Sequence, residues 1–188
     1  YIKSVEALCS SADRSDFEPE RHAEALHRLS DTLDLADETL VEQFETLSHG
    51  QRDPYVTQPV LRTSTCGIML VSFIAEGAVG LHDHPDQSGF VVCCRGQMKV
   101  DAYDVVSDAP LQLKQACLVE ASTGDCVSLT PTRGNIHRLQ CTEPTWLIDI
   151  FTPPLSAEGY ARVRAYALGE EVEPGLYLSS LLAERSPS

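Results

Sequence analysis

Between Tyr55 and Phe151 the chain is a succession of short runs rich in β-branched and aromatic residues. They are Ile68–Ala75, Phe90–Cys94, Met98–Tyr103, Gln112–Glu120, Cys126–Leu129, Ile136–Gln140 and Trp146–Phe151, and clusters of Gly, Pro, Asp and Ser separate them. Many short strands at this spacing predict a mainly β fold, a sandwich or a barrel. A small closed barrel has a mouth wide enough for one ligand or metal. Residues 1–50 read differently. Leu26, Leu29 and Leu33, then Leu40, Phe44 and Leu47, fall at helical spacing, and Gly50 follows as a stop signal. The stretch after Pro154 is mixed, with a helix expected from Tyr160 to Leu168. The expected organisation is a helical segment over 1–50 packed on a barrel domain over 51–188 that carries a C-terminal extension.

Composition narrows the function classes. A chain of 188 residues suits one domain, and 43% apolar residues suffice for a sizeable core. A formal net charge of -14 argues against a nucleic-acid partner, which needs clustered Lys and Arg. The longest apolar run is broken by Ser72 and is too short to cross a bilayer, and no signal-peptide pattern opens the sequence, which starts at Tyr1. Seven cysteines, an odd number with no CxxC pair, read as free buried thiols in a reducing compartment, the cytoplasm or nucleus. Cys93 and Cys94 are adjacent and point to opposite faces of a strand. His22, His27 and His49 share no ligand spacing and are expected as surface residues.

The chemistry lies in Gly80-Leu81-His82-Asp83-His84-Pro85-Asp86. Side chains of an extended strand alternate with period two, so His82 and His84 point to one side and Asp83 points away. Two imidazoles on one side hold a divalent metal, and His137, in Gly134-Asn135-Ile136-His137, is the candidate third ligand. Asp86 follows Pro85, which ends the strand, so a carboxylate ligand from this stretch is disfavoured. Asp149 stands inside the apolar run Trp146–Phe151, where a buried acid requires a partner.

The run Gly77-Ala78-Val79-Gly80-Leu81-His82-Asp83-His84-Pro85, continuing to Gly89 and Gly96, resembles the first cupin motif. Gly89 occupies the position where cupins commonly carry a glutamate as a fourth ligand. That replacement, followed by Gly96 and a strand ending at Tyr103-Asp104, resembles the cysteamine dioxygenase and plant cysteine oxidase family of thiol dioxygenases. The second motif is similar too: Gly134-Asn135-Ile136-His137, then Asp149, then Pro153-Pro154. The resemblance spans about Gly67 to Pro154. It implies a cupin (double-stranded β-helix) barrel with N-terminal helices, holding Fe(II) on His82, His84 and His137. It implies oxidation of a thiol to a sulfinic acid by O2, with Asp149 beside the metal or on the substrate-facing wall. Where the family usually has a tyrosine after Pro-Pro, this chain has Leu155; Tyr103 and Tyr160 are the candidates for the lost substrate contact.

The expected substrate is cysteamine or an N-terminal cysteine of a peptide or protein, with a role in oxygen sensing through protein degradation. A free-cysteine enzyme would want an arginine for the carboxylate, and Arg62, Arg95, Arg133 and Arg138 leave that open. An acidic rim would favour basic residues after the cysteine. A monomer is expected, with no membrane partner. Two other readings stay open: a non-catalytic cupin that binds a metal or ligand, and a metallo-cupin acting on a non-thiol substrate.

Overall fold

Three strands determine the architecture, because each is buried on both faces. They are β2 (Gly67–Phe73), β4 (Ser88–Arg95) and β9 (Thr145–Thr152). Their even-numbered residues, among them Ile68, Phe90, Val92 and Ile150, share one core cluster with Val5, Leu26 and Phe44 of the N-terminal helices. Their odd-numbered residues, Val71, Phe73, Val91, Cys93 and Leu147, share a second cluster with Met98, Val100, Ala121 and Leu139 of a facing sheet. Period-two alternation with both sides covered yields the near-continuous apolar runs of the sequence. It also separates the adjacent thiols: Cys93 lies between the sheets and Cys94 under the helices.

The structure, a computed structural model, describes residues 1–10, 17–154 and 162–182. Helices α1 (Ile2–Cys9), α2 (Pro19–Ser30) and α3 (Glu38–Ser48) precede the strands. The remaining strands are β1 (Tyr55–Arg62), β3 (Gly77–Asp83), β5 (Gln97–Asp108), β6 (Leu111–Ser122), β7 (Cys126–Leu129), β8 (Ile136–Cys141), β10 (Tyr166–Glu173) and β11 (Leu176–Leu181). One sheet has the order β1-β2-β9-β4-β7 and the other β10-β11-β6-β5-β8-β3, with antiparallel neighbours throughout. Together the two curled sheets form a mainly β fold, with the helices against the outer face of the first sheet.

Asp37 caps α3 by accepting the Leu40 N–H at 3.0 Å, and Phe44 of that helix stacks on Trp146 with ring centroids 5.1 Å apart. Leu33, at helical spacing with Leu26 and Leu29, falls beyond the end of α2.

The C-terminal stretch departs from expectation. Tyr166–Leu168 open a strand, not the end of a helix, because β11 adds to the edge of β6 and β10 folds back on β11. Sheet pairing overrides the local helical reading. This hairpin covers a third cluster, Leu81, Tyr103, Leu113, Ile136 and Tyr166, on the outer face of the second sheet. Its anchor is Asp83. The buried carboxylate accepts from Arg164 N at 2.7 Å, Arg164 Nε at 2.7 Å and the Tyr166 hydroxyl at 2.9 Å, while Asp83 N donates to Arg164 O at 3.1 Å.

Replacing Asp83 by Ala strands the buried Tyr166 hydroxyl. Urea unfolding should show a loss of about 1–3 kcal/mol, and amide exchange should quicken first in β10.

Candidate metal centre

The strand bearing the histidine pair is not regular, and the irregularity aims the pair. Val79 of β3 pairs with Leu139 of β8, yet the next pair is His82 with His137, three residues along one strand against two along the other. This β-bulge turns His82 to the same side as Val79, and bulges beside active sites commonly re-aim a side chain in this way. Val79, His82, His137 and Leu139 all line one cavity. His84, two residues on, returns to the same side. The three imidazole centroids lie 4.8–4.9 Å from one another, and one nitrogen of each falls within 4.8 Å of the others. Among the described residues this is the one cluster of three or more potential metal-binding side chains.

Neighbouring groups fix the rings. Asn135 clamps the backbone of His84 from both sides: its Oδ1 accepts from His84 N at 3.1 Å and its Nδ2 donates to His84 O at 2.9 Å. The His84 ring stacks on Phe151, with centroids 4.8 Å apart. His82 Nδ1 lies 2.8 Å from the Gly80 carbonyl, which only accepts, so Nδ1 carries the proton. Gln87 does the same for His84. Its Nε2 donates to Pro153 O at 2.7 Å, so its Oε1 is the atom that faces His84 Nδ1 at 3.4 Å. This assignment follows from the hydrogen-bond network.

Burial depresses the pKa of all three, and neighbouring imidazoles add to it at His84 and His137: His82 is lowered, His84 falls to about 3, and His137 lies well below the ordinary value. All three rings are therefore neutral at neutral pH. With both Nδ1 protonated, the Nε2 atoms of His82 and His84 face each other at 3.0 Å as two lone pairs with no proton between them. Such an arrangement is repulsive until a cation enters, and neutral imidazole is a ligand for divalent iron, zinc, copper or nickel. The donor set fits a metal ion.

Asp149 shares the cavity, which measures about 350 Å³. Asp149 is half-buried, with its Oδ1 out of reach of solvent, and desolvation pushes the carboxyl up to about 8, with the Ile150 N–H offsetting only part of the cost. Its Oδ1 has no hydrogen-bond partner. A buried acid left in this state calls for an incoming donor, an ammonium or an N–H.

The structure sorts the remaining candidates. Asp83 points away from the rings, and Asp86 is exposed and paired with Arg162 at 2.8 Å. Tyr103 does not line the cavity: it is buried on the opposite face of its sheet, edge-on to Tyr177, so the expected substrate contact is not made there. Tyr160 and Leu155 lie outside the described residues. Among the arginines, Arg62 lines the cavity, Arg95 lies over Trp146, and Arg138 pairs with Asp101 at 2.6 Å. His22, expected at the surface, is buried and 3.2 Å from Thr152 Oγ1, because α2 lays that face against the barrel. Gln87 carries no sequence signal, since nothing in its spacing links it to His84. Neither Cys93 nor Cys94 reaches the cavity lining, and all seven cysteines are free.

The model of the PCO_ADO family, the plant cysteine oxidases and cysteamine dioxygenases, matches residues 26–173. A search of curated proteins finds no match. Solved structures give partial overlaps. A cupin superfamily protein from Desulfitobacterium hafniense has 11% identity, covers 55% of this chain and 83% of its own, and superposes with a TM-score of 0.43. KdgF from Halomonas sp. has 17% identity over the same shares at 0.43. A conserved protein with a double-stranded β-helix domain from Klebsiella pneumoniae has 16% identity, covers 64% of this chain and 89% of its own, and reaches 0.45.

Two outcomes test the centre without turnover. Gln87→Leu frees the His84 ring and should weaken divalent-metal affinity about 10–100-fold in a chelator competition. Asp149 has a folded-state pKa above its unfolded value, so the folded metal-free protein binds the extra proton and loses stability as pH rises from about 4 to 8. Asp149→Asn mimics the protonated acid. Its Tm advantage over the parent chain should widen up to about pH 8 and then level off; an advantage independent of pH would refute the buried acid.

Proposed function

Because this chain belongs to the PCO_ADO family and turns three neutral imidazoles onto one point of a cavity, we propose that it is a non-haem iron-dependent thiol dioxygenase. The observation that carries the reading is the pair of unprotonated Nε2 atoms on His82 and His84, facing each other beside His137 with a buried acid in the same cavity. His82, His84 and His137 are the metal ligands in this proposal. Bound Fe(II) would supply open coordination positions and the redox chemistry through which a thiol and O2 combine.

The protein's own residues do the rest. His82, His84 and His137 are uncharged donors, so they would leave the full charge of a bound ion available to favour the thiolate form of a substrate. Asp149 accepts a hydrogen bond from the ammonium that neighbours the thiol in cysteamine or in an N-terminal cysteine; pairing with that cation lowers its pKa towards the ionised state. Phe151, Leu139 and Leu147 keep the cavity wall apolar and exclude bulk water. Both atoms of O2 end on sulfur, so R–SH and O2 give R–SO2H. Sulfur loses the electrons that O2 gains and no further reductant is needed. Cells rarely reverse a sulfinate, so the product suits a one-way oxygen signal on a protein N-terminus. The free thiols suit a cytoplasmic or nuclear setting.

Loaded with Fe(II) and offered cysteamine, cysteine and N-terminal-Cys peptides, the protein should consume one O2 per thiol and yield a product heavier by two oxygens. Ala at His82, His84 or His137 should abolish both iron binding and oxidation. Stoichiometric iron without turnover would point to a binding protein, and retained activity in the Ala variants would overturn the ligand set.

A further inference from the structure

The cavity holds more than the smallest thiol needs. At about 350 Å³ it has the volume of about a dozen waters and falls in the range of sites that enclose drug-sized ligands. Its wall follows from strand periodicity. Leu139 is the next inward residue after His137, Leu147 is the inward residue before Asp149, and Val79 pairs with Leu139 across the bulge. Aliphatic side chains therefore adjoin the imidazoles and the acid directly. The space continues along β1, where Tyr55, Thr57 and Pro59 share one face of an edge strand and, past the bulge between Pro59 and Leu61, Leu61 and Arg62 also line the opening. Six residues of strand span about 20 Å, enough for several residues of an extended peptide. Among the described lining residues the ionisable groups besides the histidines are Asp149 and, on the exposed end of β1, Arg62. The acidic rim expected from net charge is not present among them.

Resting on the thiol dioxygenase reading, we infer that this cavity selects peptides whose N-terminal cysteine is followed by an apolar residue, the second side chain packing against Val79, Leu139 and Leu147. With sulfur at the three histidines and the amine at Asp149, the second Cα lies about 3.8 Å from the first and remains inside the chamber. An aliphatic or aromatic side chain there gains burial. A Lys or Asp at that position loses hydration, and Asp149 is already engaged by the amine. Cysteamine gains nothing from the wall.

The test uses the full Fe(II)-loaded chain and peptides identical except for Gly, Leu, Phe, Lys or Asp after the cysteine, followed by O2 uptake and product mass. Leu and Phe should exceed Gly by about 10-fold or more in kcat/KM, mainly through KM, with Lys and Asp below Gly. Val79→Asn, at a partly exposed wall position, should shrink the Leu-to-Gly ratio several-fold. Equal rates across the series, a preference for Lys or Asp, or an unchanged ratio in the variant would overturn this inference and leave thiol oxidation standing. Failure to oxidise any thiol would instead overturn the dioxygenase reading itself.

Discussion

Pairing of β3 with β8 is the constraint on which the rest of this site depends. It sets His82 opposite His137, and one extra residue in β3 turns the pair towards the space between the sheets. Everything around this ladder serves to hold it. Asn135 behaves like an added rung on the backbone of His84. On the far side, Asp83 grips the C-terminal hairpin, so the residue between the two histidines is held as firmly as the histidines are. The HxH motif is thus a two-sided device: its odd member faces the third core cluster while its even members face the cavity.

The site is polar where the surroundings favour apolar groups. Three imidazoles and a carboxyl occupy a chamber whose other walls are largely Val, Leu, Met and Phe. None of these polar groups is charged on its own, because burial holds the histidines neutral and the acid protonated. Entry of a cation reverses that balance: lone pairs that repel become ligands. Binding free energy gained in this way adds to the stability of the fold, so metal content and resistance to unfolding are linked.

Much of this is legible in the sequence, for physical reasons. Runs such as Trp146–Phe151 read as strands because they are apolar on both faces, and the spacing of His82 and His84 puts them on a common side because period two survives a bulge that lies before them. The bulge itself is not legible; Gly80 marks it only once the pairing with β8 is known. β1 does not read as a strand in its own right because its cavity-facing residues are exposed and Pro59 interrupts it, as edge strands tolerate. The C-terminal hairpin is held by pairing to β6 and by Asp83, contacts more than fifty residues distant that no local pattern encodes. Gln87 escapes for the same reason: its role depends on the Pro153 carbonyl, brought near by the sheet.

Gly89 has a consequence for how such a centre can change over time. It pairs with Leu129 of β7, and a Cβ at position 89 would sit 3.0 Å from Leu129 Cγ. The room that a fourth, carboxylate ligand would need is therefore occupied by a neighbour's side chain. A side chain at 89 would first have to push the Leu129 side chain aside by a few tenths of an ångström, so the packing of β4 on β7 bears directly on whether a fourth donor could join the three imidazoles.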